Sequence, residues 1–457
     1  MIEKKLAVTI VGTGYVGLTT GVSLAWLGHK VTCVDNNEAI INKLKKGIPT
    51  IYENGLESLL KEVLPSMNFA NTASESLNDA QVVIIAVGTP AKANGDTDLS
   101  FVEEVAREIG RNMLPEKNLV VVNKSTVPIG TAKRVYTVIN EELDKRNVKC
   151  CFSVASNPEF LREGAALHDT FYPDRIVVGA EEVDAVNILR QMYAPILEQN
   201  FTPPRSVPRP EGYYLPAFVT TSPTSAELIK YAANSFLAMK ISFVNEFSGI
   251  AERVGADIRE VAKGIGLDKR IGGGFLNAGV GWGGSCFPKD TRSILFTGGQ
   301  YGFDMPLISA AVEVNRRQRN MIIEKLQSNL KVIRGSSIGI LGLSFKANTD
   351  DIRESPAIDI IAELLEMGAS VKVYDPVAMN NYRTSFPEQQ ITCCNSTEEC
   401  AKDTDALVLL TEWEAFLHIP WGNIAKIMRK NIIIDGRNFL KQHDIEEAGF
   451  TYKGVGF

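Results

Sequence analysis

Residues 6–17 read Leu-Ala-Val-Thr-Ile-Val-Gly-Thr-Gly-Tyr-Val-Gly, an apolar run that ends in three spaced glycines. The run from Leu6 to Val11 predicts a buried parallel strand. Helical character follows from Leu18 to Leu27, and a second apolar strand from Lys30 to Val34 ends at Asp35. A lone GxGxxG motif is weak, but the order strand, glycine turn, helix, strand and acid indicates a dinucleotide-binding unit.

The glycines and the acid of this unit each have a physical role in holding a dinucleotide. Gly12 would make the tight turn, Gly14 would let backbone approach a pyrophosphate, and Gly17 would let the helix pack closely on the strand. The helix N-terminus adds free N–H groups and a positive dipole end. Asp35 is placed to accept hydrogen bonds from ribose hydroxyls and would repel a 2′-phosphate. We therefore expect NAD rather than NADP, the alternative being a glycine-rich turn without a ligand.

Three further apolar runs each end in polar residues. The runs are Val82–Val87, Leu119–Val122 and Cys150–Ala155. They lead to Gly88-Thr-Pro90, to Lys124-Ser-Thr-Val-Pro128 and to Asn157-Pro-Glu-Phe-Leu161. Because ligands bind beyond the carboxyl ends of strands in open parallel sheets, we expect these segments to converge. Thr126 and Glu159 thereby become candidates for handling a proton or a water molecule, although both are also ordinary turn or capping residues.

Residues 201–223 contain six prolines and predict a stiff, extended connector or a surface excursion, in either case outside the core. Ser222 and Pro223 then resemble the N-cap and first residue of a long helix over about 224–254. Lys230 and Asn234 are four residues apart and share one helix face. They could project a cation and an amide into a site; the alternative is that Lys230 pairs with Glu227, three residues earlier.

The stretch Gly279-Val-Gly-Trp-Gly-Gly-Ser-Cys-Phe-Pro-Lys-Asp290 is too rich in glycine for a regular helix or strand and predicts a loop. Cys286 stands close to a lysine, and nearby positive charge favours the reactive thiolate. Cys286 is therefore a candidate nucleophile. The alternative is a small hydrophobic residue in a packing loop, which is how many free cysteines occur.

The opening pattern returns in the last third of the chain. Ser337–Leu341 is an apolar run followed by Gly342, a helix is expected from Pro356 to Met367, and Val371–Tyr374 leads to Asp375. This divergent βαβ unit lacks the full glycine triplet. We expect it to bind a phosphate-bearing ligand with the help of Lys346 and Arg353. A structural copy without a ligand remains the alternative.

Composition bounds the class of protein. The chain has 457 residues, 45% hydrophobic and 22% charged, which suggests about three domains of an ordinary globular protein. The net charge of −6 indicates no nucleic-acid partner. Four scattered histidines give no metal-ligand spacing, and seven cysteines without a CxxC motif are typical of reduced thiols in the cytoplasm. No apolar stretch is long enough for a membrane span.

Six motifs together resemble the nucleotide-sugar dehydrogenase family over nearly the whole chain. They are GTGYVGL at 12–18, KSTVP at 124–128, NPEFLREG at 157–164, ELIKYAANSFLAMKISFVNE at 227–246, GGSCFPKD at 283–290 and FKANTDDIRESP at 345–356. The resemblance implies an α/β fold in which two Rossmann-like parallel-sheet domains are joined by a long-helix dimerisation domain. We expect an NAD-binding domain over 1–200, the proline-rich connector over 201–223, a central helical domain with the cysteine loop over 224–330, and a UDP-sugar-binding domain over 331–457.

The same resemblance implies a mechanism and its residues. Cys286 would trap a sugar aldehyde as a thiohemiacetal and then as a thioester; Thr126, Glu159 and Asp290 would handle water; Lys230 and Asn234 would stabilise negative charge on oxygen. The implied cofactor contacts are Gly12, Gly14, Tyr15, Val16, Gly17, Asp35, Thr89, Thr126, Glu163, Lys289 and Arg353. The implied substrate contacts are Glu159, Phe160, Leu161, Lys230, Asn234, Arg270, Phe275, Asn277, Gly279, Gly283, Lys346 and Arg437, with Arg270 offered across a homodimer interface.

Three functions stay open at this stage. Family members that act on UDP-N-acetyl sugars usually carry His before the nucleophile, whereas Ser285 stands here, which favours an unacetylated sugar. UDP-glucose is the substrate that we expect, although members that act on GDP-mannose share the Gly-Gly-Ser-Cys motif. GDP-mannose is the first alternative. A nucleotide-sugar sensor without catalysis is the second, because a fold does not fix a function.

Overall fold

The computed structural model describes residues 5–115 and 118–457. They form two compact units, one that ends at Ala232 and one that runs from Ala233 to Phe457. Each unit contains one sheet with helices packed against it, so the expected α/β class with two Rossmann-like parallel sheets is confirmed. Residues 233–330, which we assigned to a central domain, lie in the same compact unit as the second sheet.

The first unit is built on an eight-stranded sheet. Its strands are β1 (Ala7–Val11), β2 (Lys30–Val34), β3 (Met67–Ala70), β4 (Val82–Ile85), β5 (Asn118–Asn123), β6 (Cys151–Ser156), β7 (Arg175–Ala180) and β8 (Ala217–Thr221). Their order is β3-β2-β1-β4-β5-β6-β7-β8, and all neighbours are parallel except β6 and β7. The order reverses between β1 and β4, where open sheets of this kind bind their ligands.

Helices cover both faces of this sheet, as buried parallel strands require. They are α1 (Tyr15–Trp26), α2 (Glu38–Leu44), α3 (Leu56–Val63), α4 (Ser74–Leu77), α5 (Ser100–Asn112), α6 (Thr131–Lys145), α7 (Ala166–Phe171) and α8 (Val183–Glu198), with a short 3₁₀ turn at Leu64–Ser66. The following helix, α9 (Pro223–Val254), crosses the boundary at Ala232. Ser222 caps it as predicted, because its hydroxyl accepts the N–H of Ser225 at 3.2 Å.

The glycine turn between β1 and α1 tolerates no side chain at two of its three glycines. Gly12 has a φ of +101°, and a Cβ there would lie 2.5 Å from the carbonyl oxygen of Ala86. A Cβ on Gly17 would lie 1.8 Å from the carbonyl oxygen of Gly12. The predicted roles of the first and third glycines, a tight turn and close packing of helix on strand, follow from these distances.

The proline-rich segment is a surface excursion of the first unit, one of the two possibilities that we expected, but it is not wholly outside the core. Its residues 217–221 form β8, which pairs in parallel with β7 at the edge of the sheet. Val207 is buried in the core, and the hydroxyl of Tyr172 donates to its carbonyl oxygen at 2.9 Å. The strand β8 contains no proline, and the prolines of the segment lie on either side of it, in irregular backbone or at the first residue of α9, where a missing N–H costs little.

The sheet of the second unit repeats that of the first with fewer strands. Its strands are β9 (Ser337–Leu341), β10 (Ser370–Tyr374), β11 (Ile391–Cys393), β12 (Ala406–Leu409), β13 (Ile432–Asp435) and β14 (Thr451–Lys453). All six are parallel in the order β11-β10-β9-β12-β13-β14, the same order as the first six strands of the other sheet. The second βαβ unit predicted from the sequence is therefore confirmed.

The helices of the second unit come in two groups. Before β9 lie α10 (Ile258–Gly266), α11 (Phe287–Gln300) and α12 (Pro306–Leu330). After β9 lie α13 (Pro356–Glu366), α14 (Met379–Ser385), α15 (Thr397–Ala401), α16 (Trp421–Ile427) and α17 (Gln442–Glu447), with a 3₁₀ turn at Glu414–His418. None of the helices in the described part of the chain combines the length and the apolar character needed to cross a bilayer. All seven cysteines are free thiols.

Candidate active site

The turn after β1 fits the pyrophosphate and ribose of a dinucleotide. Gly14 is the N-cap of α1, and a Cβ built on it would have no atom within 4 Å, so its backbone is open to a ligand. Asp35 is held beside it, because Thr13 donates to Asp35 Oδ2 through its backbone N–H at 3.1 Å and its hydroxyl at 2.6 Å. The other oxygen, Oδ1, accepts the N–H of Asn37 at 3.0 Å. Tyr15 and Val16 begin α1, and the Tyr15 hydroxyl donates to the carbonyl oxygen of Tyr52 at 3.1 Å.

The ends of β4 and β5 are tied together as the strand order predicts. The hydroxyl of Thr89 donates to the carbonyl oxygen of Thr126 at 2.8 Å. The hydroxyl of Ser125 donates to the carbonyl oxygen of Val87 at 2.7 Å. These bonds fix the backbone of the loop that carries Thr126, whose side chain is half-buried.

Glu159 and Lys230 form an ion pair inside the first unit. Lys230 Nζ lies 2.8 Å from Glu159 Oε1, and Glu159 Oε2 accepts the N–H of Leu161 at 2.6 Å. Burial raises the pKa of Glu159, but the charge and hydrogen bond of Lys230, the N–H of Leu161 and the charge of Lys124 outweigh burial and lower it. The Phe160 ring lies 5.5 Å from Lys230 Nζ, within range of a cation–π contact.

Glu227, the expected alternative partner of Lys230, binds elsewhere. Its carboxylate accepts the N–H groups of Gly130 at 2.6 Å and Ala132 at 2.9 Å and the hydroxyl of Ser156 at 3.1 Å. Burial raises the pKa of Glu227, and these hydrogen bonds act in the opposite direction. Lys230 is therefore paired with a carboxylate 71 residues away in sequence, which helical spacing could not have indicated.

A small cavity lies among these side chains in the first unit. It is lined by Asn123, Ser125, Thr126, Val127, Ser156, Pro158, Glu227 and Lys230. The side chain of Asn123 is 1% exposed, and neither atom of its amide bonds to any residue within 5–115 or 118–457. Asn123 immediately precedes the Lys124-Ser-Thr motif, but no pattern in the sequence marks it as a site residue.

In the second unit, four buried polar side chains hold the glycine loop that precedes Cys286. Asn245 Oδ1 accepts the N–H of Gly279 at 2.8 Å, and Gln318 Nε2 donates to its carbonyl oxygen at 2.9 Å. Asn315 makes a two-way contact with the backbone of Trp282, accepting its N–H at 2.7 Å and donating to its carbonyl oxygen at 2.9 Å. The indole N–H of Trp282 donates to the hydroxyl of Ser242 at 3.0 Å. The only sign of this loop-holding role in the sequence is the spacing of Asn315 and Gln318, which are three residues apart and therefore share one face of α12.

Cys286 occupies the N-cap of α11 and is half-buried. A helix N-terminus favours negative charge, and a thiolate placed there is stabilised. The hydroxyl of Ser285 lies 3.6 Å from Cys286 Sγ. One turn further along, Asp290 is fully buried; its Oδ2 accepts Asn234 Nδ2 at 2.6 Å and its Oδ1 lies 2.5 Å from Lys289 Nζ. The structure thus brings together three predicted site residues, Asn234, Lys289 and Asp290.

Arg437 joins three segments of the second unit. Its Nε donates to the carbonyl oxygen of Leu410 at 2.8 Å, Nη1 to that of Gly281 at 3.1 Å and Nη2 to that of Phe345 at 2.8 Å. The guanidinium therefore links the carboxyl end of β12, the cysteine loop and the loop of Lys346. We expected only a substrate contact, and the carbonyl acceptors were not readable from the sequence.

The other predicted contacts take varied positions. Four of them are half-buried, namely Leu161, Glu163, Phe275 and Lys346, and Asn277 is exposed. Arg353 is exposed and forms a bidentate pair with Asp351, while Arg270, 89% exposed, pairs with Asp268. Gly279 and Gly283 are buried against backbone: a Cβ would lie 2.7 Å from the Gly436 carbonyl oxygen and 2.2 Å from that of Glu354 respectively.

The acid at the end of the second strand differs between the two units. Asp375 corresponds to Asp35 but is 1% exposed. Its Oδ2 accepts the N–H groups of Leu343 at 2.7 Å and Ser344 at 3.1 Å and the indole N–H of Trp413 at 3.1 Å. A carboxylate satisfied in this way is not open to a ribose, so the second unit does not offer a second dinucleotide site of the same kind.

An open glycine turn, an acid facing it and a Rossmann strand order define the class of dinucleotide-dependent dehydrogenases. Family models match three ranges that together make up most of the chain. The NAD binding, central and UDP binding domains of the UDP-glucose/GDP-mannose dehydrogenase family match residues 6–197, 224–317 and 339–442. The chain belongs to this family, and its cofactor is NAD.

Individual relatives agree with that assignment. A UDP-glucose 6-dehydrogenase of Bacillus subtilis (strain 168) is 41% identical over 451 residues, 98% of this chain and 97% of the relative. A UDP-glucose 6-dehydrogenase of Rickettsia bellii is 40% identical over 452 residues, covering 98% of this chain and 99% of the relative. The structure of a UDP-glucose dehydrogenase from the archaeon Pyrobaculum islandicum superposes with a TM-score of 0.88 at 37% identity, covering 100% and 99% of the two chains.

Proposed function

We propose that this chain oxidises UDP-glucose to UDP-glucuronate in two NAD-linked steps through a covalent cysteine intermediate. The observation that carries the proposal is the half-buried thiol of Cys286 at the N-cap of α11, on a loop held by buried side chains. Relatives about 40% identical over nearly the whole chain, named UDP-glucose 6-dehydrogenases, support the choice of substrate.

The proposed reaction consists of two oxidations and one hydrolysis. In the first oxidation, the 6-carbon loses a hydride and its hydroxyl group loses a proton, which gives an aldehyde. Cys286 Sγ bonds to the aldehyde carbon and a proton is placed on the oxygen, which gives a thiohemiacetal. In the second oxidation, the thiohemiacetal carbon loses a hydride and its hydroxyl group loses a proton, which gives a thioester. Water then breaks the carbon–sulfur bond and releases the carboxylate, a proton and the thiol. NAD would supply hydride acceptance, with one NAD molecule for each oxidation.

The side chains of the first unit would hold NAD and manage charge. The open backbone at Gly14 suits the pyrophosphate, and Asp35, oriented by Thr13, suits the ribose hydroxyls. Lys230, sealed against Glu159, would stabilise negative charge on the reacting oxygen, where a preorganised cation is most effective. Thr126 and Glu159 would orient the water that attacks the thioester.

The side chains of the second unit would hold the sugar and the nucleophile. The N-terminus of α11 favours the thiolate of Cys286. Asp290, held by Asn234 and Lys289, would assist the hydrolytic water, and Asn234 would donate to the reacting oxygen. We assign the contacts of the nucleotide sugar to the loops around Phe275, Lys346 and Arg437, and those of NAD also to Glu163 and Arg353.

We further propose a homodimer formed through α9. Phe236, Phe243 and Ile250 follow one another at seven-residue spacing, as do Phe247 and Val254, and all five are 44 to 68% exposed. Such a stripe is typical of a helix that packs against another helix. Residues 224–330 would then serve as the dimerisation region, 331–457 as the UDP-sugar-binding region and 1–200 as the NAD-binding region. Seven free thiols favour a cytoplasmic location.

Incubation of the purified protein with UDP-glucose and excess NAD tests the proposal. We expect UDP-glucuronate together with about two NADH per sugar, because the covalent intermediate is oxidised a second time before release. Oxidation of GDP-mannose with no oxidation of UDP-glucose would replace the substrate by the first alternative. Binding of UDP-glucose without NADH formation from either sugar would favour a sensor without catalysis.

A further inference from the structure

Glu227 connects three segments of the first unit through one buried carboxylate. It is 3% exposed and lies in the second turn of α9. Its Oε2 accepts the N–H of Gly130 at 2.6 Å, and its Oε1 accepts the N–H of Ala132 at 2.9 Å and the hydroxyl of Ser156 at 3.1 Å. Three donors on one buried side chain indicate a fixed junction rather than a surface contact.

The helix α6 depends on this carboxylate because it begins without a cap of its own. Its N-cap is Gly130, with a φ of +93° and no side chain to accept the first N–H groups. Buried N–H groups at a helix start need acceptors, and a negative charge there is also favoured by the helix dipole. Glu227, which belongs to α9, supplies both the acceptor oxygens and the negative charge to the start of α6.

The segments that meet at Glu227 are those that carry the candidate catalytic side chains. The loop that ends at α6 carries Thr126, the loop after β6 carries Glu159, and α9 carries Lys230 one turn beyond Glu227. The ion pair of Lys230 with Glu159 is a further contact between α9 and the loop after β6.

We propose that Glu227 is a positioning residue that sets the placement of the Thr126 loop relative to Lys230 and Glu159. The inference rests on the proposed function for its effect on catalysis, but the junction itself can be tested without substrate. Glu227 touches neither sugar nor cofactor in this role; it acts through the loop of residues 124–132. Since Thr126 is assigned to the water that attacks the thioester, loss of the junction should slow hydrolysis more than the steps before it.

The Glu227→Gln variant tests the proposal, because it keeps the size of the side chain but turns an NH₂ group toward an N–H donor. We expect kcat to fall by about tenfold to a hundredfold, the range for a misplaced catalytic group. We expect the acylated form of Cys286 to accumulate during turnover, as measured by mass spectrometry of quenched enzyme. Hydrogen exchange should rise at residues 124–132.

A matched variant separates positioning from a general loss of stability. Asp405→Asn also removes a buried carboxylate, one that accepts the N–H of Ser337 at 2.8 Å in the second unit. It should change neither the exchange of residues 124–132 nor the acylated fraction. In a Thr126→Ala background, Glu227→Gln should add less than about twofold, since both changes act on one step.

The outcomes are distinct. Unchanged exchange at residues 124–132 in Glu227→Gln overturns the proposal whatever the enzyme does. A fully additive effect with Thr126→Ala, or a fall in kcat without acylated Cys286, also overturns it. If the wild-type protein oxidises no UDP-glucose, the proposed function fails, and the exchange measurement alone decides whether Glu227 holds the loop.

Discussion

Lys230 Nζ lies 2.8 Å from Glu159 Oε1, and the two side chains are only 3% and 5% exposed. Each charge in this pair depends on the other, because both side chains are almost completely withdrawn from bulk solvent. Removing one member of such a pair leaves a buried charge without compensation, which costs far more than the net contribution of the intact pair.

Glu159→Gln should therefore lower the free energy of unfolding by about 3 to 5 kcal/mol, the range for breaking a buried ion pair on one side. Urea denaturation followed by circular dichroism measures the change. The double variant Glu159→Gln with Lys230→Met should recover part of the loss, since it leaves no unpaired charge. A double variant as unstable as the sum of the single variants would contradict an interaction between them.

The same pair gives a pH dependence with a defined sign. Burial raises the pKa of Glu159, but Lys230, the N–H of Leu161 and Lys124 together bring it below its ordinary value of about 4.3. Between the lowered folded pKa and the unfolded value, the unfolded chain binds more protons, so stability falls as the pH falls. The stabilisation is complete above about pH 4.3 and is lost as the pH drops through the folded pKa.

The measurement is the difference in unfolding free energy between wild type and Glu159→Gln. It should be constant from neutral pH down to about pH 4.3 and should shrink below that value, since Gln does not titrate. A difference that grows on acidification would show that Glu159 is protonated more readily in the folded protein than in the unfolded chain.

The glycine turn offers a matched pair of substitutions with different expected effects. Gly14→Ala places a methyl group where no atom lies within 4 Å, whereas Gly12→Ala places one 2.5 Å from the Ala86 carbonyl oxygen at a φ of +101°. Gly14→Ala should leave the melting temperature of the free protein unchanged and raise the KM for NAD about tenfold or more, because it blocks close approach of the pyrophosphate.

Gly12→Ala should instead lower the melting temperature in the absence of NAD, since both the contact and the φ are unfavourable. Thermal unfolding and initial rates at varied NAD measure the two effects. Equal KM values for wild type and Gly14→Ala would contradict a cofactor at this turn.

The local parts of this fold could be predicted from sequence, because local patterns determine them. The bounds of β2 and β9 follow from apolar runs that end in turn or acidic residues, and α9 begins at Pro223 after its Ser222 cap. The strand β8 was not predicted, because Pro216 and Pro223 flank it within a proline-rich segment. The strand itself contains no proline, so the composition of the whole segment concealed a short run that pairs at the edge of the sheet.

Sequence patterns suggested candidate residue types for the site but not how they pair. Helical spacing offered Glu227 as the partner of Lys230, whereas the structure pairs Lys230 with Glu159, which follows β6. Likewise Asp375 repeats the position of Asp35 in sequence, but its oxygens are occupied by backbone and indole donors. Such contacts depend on loops that pack from distant parts of the chain, which periodicity does not encode.

Cys286→Ser should reduce the formation of UDP-glucuronate by at least about a hundredfold, because a hydroxyl is a far weaker nucleophile than a thiolate. UDP-glucose should still bind, as judged by calorimetry, since serine is only slightly smaller than cysteine and the substitution leaves the loop that holds the sugar in place. Cys151→Ser, at the exposed start of β6, is the control and should turn over normally. Undiminished turnover of Cys286→Ser would refute covalent catalysis.

Phe243 and Phe247 are both exposed on α9, and their rings lie 4.8 Å apart at the centre of the apolar stripe. Phe243→Arg should convert the expected dimer into a monomer, because a charge at the centre of a helix–helix contact is left without a partner. Sedimentation velocity at several concentrations measures the change. Val183→Arg, at an even more exposed apolar residue at the start of α8, should leave the dimer intact. A monomeric wild-type protein, or a dimer unaffected by Phe243→Arg, would rule out α9 as the dimer contact.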